Sequence, residues 1–191
     1  MGLCIMILQM KFFWNRIAYH SINERRMGLL AKIINLEGTL KFELCFVRNN
    51  MFDYRKWRSD YENFFPFILR LDFPNRCSII DEDANATMTL YEIKDFFNGI
   101  ETVLTHLINQ KNYAYVYCNS ENYFELRLES IPEDNVIEIV LWLNVGNQTQ
   151  GKMYGYDEGV KFIARASVLQ DFICALKNNF LEVMDIRFEN I

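Results

Sequence analysis

The sequence contains little proline and little glycine, with three prolines and eight glycines in 191 residues. Hydrophobic residues make up 51% of the chain and aromatic residues 15%. A disordered or low-complexity chain has the opposite composition, because it cannot bury enough apolar surface to fold. The composition therefore predicts a globular protein, and the length is sufficient for a sizeable core without disulfides or metals.

The sequence also lacks the motifs of catalysis and metal binding. It has only two histidines, His20 and His106, and no CxxC pair, so no zinc-site spacing is present. A GxSxG nucleophile, a P-loop and a GxGxxG turn are all missing. We therefore expect a protein that is not an enzyme, with no catalytic residues, no cofactor and no metal. A hydrolase with an unrecognised pair of facing carboxylates stays an alternative.

The cysteines are odd in number and widely spaced, which does not indicate a disulfide framework in a chain of this size. We expect them to be reduced, in a cytoplasmic protein. The five positions are Cys4, Cys45, Cys77, Cys118 and Cys174.

The net charge is -5 and the isoelectric point is near 5.1. Affinity for nucleic acid comes mainly from Lys and Arg side chains that neutralise phosphates, so this charge predicts no nucleic-acid partner. An acidic surface is better suited to a basic protein partner. An ordinary acidic surface without a partner is the alternative interpretation.

Residues 1–26 differ from the rest of the chain. The apolar run Leu3–Leu8 is too short to span a bilayer, and the first basic residue, Lys11, follows it, whereas a signal peptide is positively charged ahead of its apolar run. We expect 1–26 to be a peripheral N-terminal extension, with Met27 as an alternative start, and 27–191 to be a single domain. No membrane partner is predicted, although a short amphipathic anchor stays an open alternative.

Hydrophobic periodicity predicts an α+β fold, an antiparallel β-sheet with two amphipathic helices packed on one face. Thr89–Glu92 and Ser167–Gln170 both read as capping boxes, and each precedes an apolar stripe at helical spacing. The predicted strands are Ala31–Leu36, Thr39–Val47, Phe67–Phe73, Ala86–Met88, Tyr113–Cys118, Tyr123–Glu129, Val136–Val145 and Val160–Ala166.

If the inner face of the sheet meets the helices, alternation places a second set of side chains on its outer face. Aromatic residues and arginine among charges are typical of interface cores. The alternative is that Trp142 is covered by the loop Gly146–Gly159 or by the N-terminal extension. The predicted outer set is Tyr123, Glu125, Arg127, Glu129, Glu138, Val140, Trp142, Lys161, Ile163 and Arg165.

Acidic residues are concentrated in the expected loops. Their spacing does not match an EF-hand, so solvation is one explanation and attraction of a cationic partner is the other. The residues are Asp81, Glu82, Asp83, Glu133, Asp134, Asp157 and Glu158.

The segment from about Ala84 to Phe180 resembles the WapI-like immunity proteins. The elements that carry the likeness are the capped helix with Leu90, Phe96 and Phe97, the strands Tyr123–Leu128, Val136–Leu143 and Val160–Ala164, and the helix Leu169–Leu181. These are small acidic bacterial proteins that neutralise a cognate contact-dependent or polymorphic toxin, often a nuclease. The resemblance implies a non-enzymatic immunity protein that blocks a basic toxin domain by steric occlusion.

No site residue is carried over from that family, so the partner-binding residues are predicted from the outer face and the acidic loops. A small-molecule or peptide-binding regulatory module, with a pocket between sheet and helices, is the alternative function. The oligomeric state is left open. The predicted partner-binding residues are Tyr123, Glu125, Arg127, Glu138, Trp142, Arg165, Glu133, Asp134, Asp157 and Glu158.

Overall fold

The computed structural model describes residues 31–48, 54–80, 86–144 and 157–184. The predictions for the extension 1–26 and the acidic loop Asp81–Asp83 lie outside the described residues, as does most of the loop Gly146–Gly159. The elements are β1 Ala31–Ile34, β2 Lys41–Phe46, β3 Phe64–Phe73, β4 Arg76–Ile80, β5 Thr87–Thr89, α1 Leu90–Ile108, β6 Ala114–Cys118, β7 Phe124–Ile131, a 3₁₀ turn Pro132–Asp134, β8 Val136–Asn144, β9 Asp157–Arg165 and α2 Ala166–Met184.

The strands form two antiparallel sheets, and a helix follows each sheet along the chain. The first sheet has the order β1-β2-β3-β4, with β5 paired to β3, and the second has the order β6-β7-β8-β9. The predicted α+β class, with antiparallel strands and two helices, is confirmed. The finer expectation was a single sheet with both helices on one face. The structure has two sheets instead, and the two helices pack mainly on different ones.

Each helix packs mainly on the sheet other than the one that it follows along the chain. Helix α1 follows the first sheet and packs on β6 and β7, whereas α2 follows the second sheet and packs on β1 and β2. One buried cluster spans both sheets and both helices. Phe67 of β3 meets Phe124 of β7 with ring centroids 5.7 Å apart, and Phe42 of β2 meets Phe172 of α2 at 5.8 Å. The inner faces of both sheets therefore share one core.

Helix α1 begins at the predicted capping box, which is confirmed. The Glu92 amide donates to Thr89 Oγ1 at 3.2 Å, and the Thr89 amide donates to Glu92 Oε2 at 2.7 Å. The other carboxylate oxygen of Glu92 accepts from the Ser120 amide at 2.6 Å and from Asn119 Nδ2 at 3.3 Å. Glu92 thus accepts a hydrogen bond from a backbone amide at the start of the helix and connects that start to the β6–β7 turn.

Several boundaries differ from the sequence-based prediction. Strand β4, which forms a hairpin with β3 across Pro74 and Asn75, was not predicted. Strand β9 begins at Asp157 and α2 begins at Ala166, ahead of the cap expected at Ser167. The predicted apolar stripes are buried in both helices, except at Leu181 of α2, which is partly exposed. Within the described ranges, neither helix is long and apolar enough to cross a membrane.

The outer face of the first sheet carries a compact ion-pair network. Lys41 Nζ lies 3.0 Å from both Glu43 Oε1 and Asp72 Oδ2, and Arg70 Nε donates to Asp72 Oδ1 at 2.7 Å. Although burial raises the pKa of Asp72, hydrogen bonds from Cys77, Arg70 and Lys41 outweigh it and lower that pKa to about 2. Burial, together with the hydrogen bond to Asp72, raises the pKa of the Cys77 thiol to about 11. The four charged side chains Lys41, Glu43, Arg70 and Asp72 thus pair with one another.

Candidate protein-binding surface on the second sheet

Strand pairing in the second sheet brings the predicted outward side chains together. Residues directly opposite each other in antiparallel strands point to the same face. Both helices pack on the inner faces, so this side of the sheet carries neither of them. We call it the outer face; its rows across β7, β8 and β9 are Glu125–Trp142–Gly159, Arg127–Val140–Lys161 and Glu129–Glu138–Ile163, with Arg165 opposite Val136.

Trp142 is the largest side chain on the outer face, and 44% of it is exposed. Its indole lies across Gly159 of β9, the residue opposite it in the register. A Cβ atom at Gly159 would lie 2.3 Å from Trp142 Cε3, so only glycine leaves room for the ring in this position. An open depression of about 240 Å³ beside the indole is lined by Asn122, Phe124, Glu125, Trp142 and Asn144.

Charged groups alternate with apolar ones around this tryptophan. Lys161 Nζ lies 2.7 Å from Glu138 Oε1, and Arg127 Nη2 lies 3.4 Å from Glu129 Oε2. Exposed ion pairs of this kind contribute little to stability. The apolar side chains of Val116 and Ile163 are exposed as well. The outer face therefore offers both apolar and charged contacts to another molecule.

Most of the predicted partner-binding residues lie together in the structure. Glu125, Arg127, Glu138, Trp142 and Arg165 all point outward from the second sheet. The acids Glu133 and Asp134 are exposed in the 3₁₀ turn between β7 and β8. That turn lies at the end of the sheet where Val136 pairs with Arg165, so its acids border the outer face.

Two predicted members do not lie on the outer face. Tyr123 precedes β7, so the alternation of that strand does not set its direction, and its ring packs edge-on against Phe67 of the first sheet at 6.0 Å. Burial raises the pKa of its hydroxyl. Glu158 lies in β9 opposite the buried Leu143, and its carboxylate pairs with Arg76 and accepts from Ser78 Oγ at 2.6 Å. It joins the two sheets and is not a loop acid.

Asp157 was also predicted to lie in a loop. It is the first residue of β9, where it pairs with Asn144 at the end of β8. The expected loop Gly146–Gly159 is therefore shorter than predicted at its C-terminal end. The course of 145–156 lies outside the described residues, as does any cover that it gives Trp142.

A second exposed cluster was not identified from the sequence. The segment 54–62 between β2 and β3 exposes Trp57 (76%) and Tyr61 (60%), and Tyr91 of α1 (46% exposed) stacks on Tyr61. The same segment exposes three cationic side chains, Arg55, Lys56 and Arg58. The run Arg55-Lys56-Trp57-Arg58 is the signal in the sequence from which this cluster could have been predicted.

The described residues hold no group of three His, Cys, Asp or Glu side chains arranged to bind a metal. His106 Nδ1 donates to the Thr102 carbonyl at 2.9 Å, and the imidazole ring stacks on Tyr113. These contacts lie within and beside α1. They give His106 a structural role in the packing of that helix.

Comparison with known proteins gives structural likenesses only. No protein-family model matches the sequence, and no curated protein matches it. A structure of the plant transcriptional regulator PBF-2 is similar at 10% identity and a TM-score of 0.40, over 85% of this chain and 90% of that chain. WHY3 and WHY1 from Arabidopsis thaliana are similar at 10% and 11% identity, with TM-scores of 0.41 and 0.39, over 82% of this chain and 89% and 92% of theirs. At these scores the likeness assigns no function to this chain.

The prediction that nucleic acid is excluded as a partner is wrong, and the similar structures include a transcriptional regulator. The prediction rested on net charge alone. Net charge is an average over the chain, whereas the structure places Arg55, Lys56 and Arg58 together on one exposed segment. Binding depends on such local charge. The exclusion is therefore withdrawn.

Proposed function

We propose that this protein binds another protein through the outer face of the second sheet, and that the partner is a cognate toxin domain which it neutralises. The observation that supports the proposal is the exposure of Trp142, at 44%, on a sheet face that no helix of the described chain covers. Large exposed aromatics beside arginine are the residues that dominate binding energy at protein interfaces. Neutralisation requires only that the bound protein blocks the toxin, so no catalytic group is needed.

Beyond the ion pairs Glu138–Lys161 and Glu129–Arg127, the acids on and beside the outer face outnumber its remaining cation, Arg165, and this favours a basic partner. Glu125 lies beside Trp142 on the outer face, and Glu133 and Asp134 border that face at the opposite end. Acidic groups around an interface accelerate the encounter with a basic protein and orient it before contact. A nuclease toxin carries such basic surface because it binds phosphates. A protein of this kind would act in the cytoplasm, where the toxin reaches its target.

The alternative function, a regulatory module with a pocket between sheet and helices, has less support from the geometry. In the described chain, the space between the sheets and the helices is filled by buried phenylalanines of the shared core, including Phe96, Phe124 and Phe180. The open depression described above lies instead beside Trp142. A ligand site between sheet and helices would require these rings to move.

The experiment is co-expression with the toxin domain encoded by the neighbouring gene. The wild-type chain should restore growth of cells that make the toxin, and the variant Trp142→Ala/Glu138→Lys should not. A circular dichroism melting curve of the purified variant checks that it folds. Rescue by this variant at wild-type level would overturn the proposal, and so would a failure of the wild-type chain to restore growth.

A further inference from the structure

The segment Tyr54–Glu62, which we call the aromatic–basic loop, is largely exposed, and hydrogen bonds to a buried side chain fix its backbone conformation. The side chain of Asn63, which is almost completely buried, lies at its centre. Asn63 Oδ1 accepts from the Arg55 amide at 2.9 Å, and Asn63 Nδ2 donates to the carbonyls of Arg55 at 3.2 Å and Ser59 at 3.1 Å. One amide group, just before β3, thus holds both the start and the middle of the loop.

The loop is also fixed to the start of helix α1. The Tyr91 amide donates to the Asp60 carbonyl at 3.2 Å, and Lys94 Nζ lies 2.9 Å from Asp60 Oδ2. The rings of Tyr61 and Tyr91 stack with centroids 4.5 Å apart and planes inclined by 24°. Hydrogen bonds therefore fix the backbone that carries the exposed aromatic side chains.

The exposed side chains of this loop do not contribute to the core. Trp57 is 76% exposed, and the Arg58 guanidinium carbon lies 5.3 Å from the centroid of its ring. Lys56 and Arg55 are exposed on the same segment. Exposed aromatic rings next to cationic side chains are the components with which proteins hold single-stranded nucleic acid, because bases stack on the rings and phosphates pair with the cations.

We propose that the aromatic–basic loop binds single-stranded nucleic acid, with Trp57 stacking on a base and Lys56 and Arg58 contacting phosphates. A duplex keeps its bases stacked inside, so it offers the ring no base face and should bind more weakly. An acidic protein segment could pair with the same cations but would not need an exposed indole of this kind. The site is separate from the outer face, so it does not depend on toxin binding.

The test uses the full chain and a fluorescein-labelled oligothymidylate of about 15 nucleotides, with binding followed by anisotropy at low salt. Trp57→Ala should weaken binding about tenfold, whereas Trp142→Ala, which removes another exposed indole, should leave it unchanged. Lys56→Glu/Arg58→Glu should weaken it further. The control Lys32→Glu/Lys111→Glu makes the same charge change at exposed positions elsewhere and should have a much smaller effect.

The salt dependence gives a second readout. With two or three phosphate contacts, the logarithm of the association constant should fall with the logarithm of the salt concentration with a slope of about -2 or shallower. Absence of binding by the wild type, or equal loss in Trp57→Ala and Trp142→Ala, would overturn the proposal. So would equal affinity for the duplex of the same length. Displacement of the oligonucleotide by polyglutamate at similar charge concentration would indicate an acidic protein as the ligand and would also overturn it.

Discussion

The indole of Trp142 lies across Gly159 on the neighbouring strand, and a Cβ atom at Gly159 would lie 2.3 Å from Trp142 Cε3. The two residues are direct partners in the β8–β9 register. The position of the largest side chain on the outer face therefore depends on the absence of a side chain opposite it.

Gly159→Ala should move the Trp142 ring without unfolding the protein. The ring is 44% exposed and can turn toward solvent, so we expect the free energy of unfolding to change by less than about 1 kcal/mol. The indole N–H signal of Trp142 in a ¹H–¹⁵N spectrum should shift, while that of Trp57 stays in place. An unmoved Trp142 signal would show that the ring does not rest on Gly159.

Gly99→Ala should destabilise the protein, although alanine is the better helix former. A Cβ atom at Gly99 of α1 would lie 2.1 Å from Tyr115 Cζ, and the Tyr115 hydroxyl is held by Asp95 Oδ2 at 2.8 Å. Forced repacking costs about 1–3 kcal/mol, against a gain in helix propensity of about 1 kcal/mol. Urea unfolding measures the balance. Adding Tyr115→Ala should remove the penalty for Gly99→Ala, and additive effects of the two changes would exclude the contact.

Asp72→Asn should lower stability near neutral pH and have little effect in acid. The folded-state pKa of Asp72, about 2, lies below its ordinary value of 3.8, so its charged form stabilises the fold above that ordinary value. This contribution is lost as the pH falls from about 4 through about 2. Urea unfolding should be measured for both proteins at pH 6 and at the lowest pH that keeps both folded. The difference in their free energies of unfolding should be smaller at the lower pH. The exposed Asp171→Asn is the matched control, and a constant gap between wild type and Asp72→Asn would contradict the assignment.

Asn63→Ala should loosen the aromatic–basic loop. It removes the acceptor for the Arg55 amide and the donor to the Ser59 carbonyl, and an unmet buried hydrogen bond costs about 1–3 kcal/mol. Hydrogen exchange at the Arg55 amide should become faster, and oligothymidylate binding should weaken even though Trp57 is retained. Asn63→Asp keeps the acceptor and should preserve protection at Arg55 better than Asn63→Ala. Equal exchange in all three proteins would show that Asn63 does not hold the loop.

Local patterns in the sequence were sufficient for the faces of the strands and the start of α1. The capping box at Thr89 is recognisable because its two hydrogen bonds join residues three apart. The outward direction of Glu125, Arg127 and Trp142 follows from period-two alternation inside continuous strands. Such features depend on neighbours in the chain, so a single sequence contains the information.

The features that were missed depend on distant residues. Alternation gives the face of a strand but not its neighbours, so it did not show that the strands divide into two sheets. Glu158 looked like a loop acid because its partners, Arg76 and Ser78, lie about 80 residues away. Tyr123 was predicted to continue the outward row of β7, but it lies just before that strand and packs on Phe67 of the other sheet. The net charge of the whole chain is negative, so it gave no indication of the local cluster of cations around Trp57.

The most direct test of the proposed function is the affinity of the purified chain for the purified toxin domain, measured by isothermal titration calorimetry. Trp142→Ala/Glu138→Lys should weaken binding by at least about 100-fold, since a buried aromatic anchor alone contributes about 2 kcal/mol or more at an interface. Trp57→Ala/Glu182→Lys, which removes another exposed indole and makes the same charge change on α2, should bind like the wild type. Equal affinity of the wild type and the Trp142→Ala/Glu138→Lys variant would contradict the outer face as the binding surface.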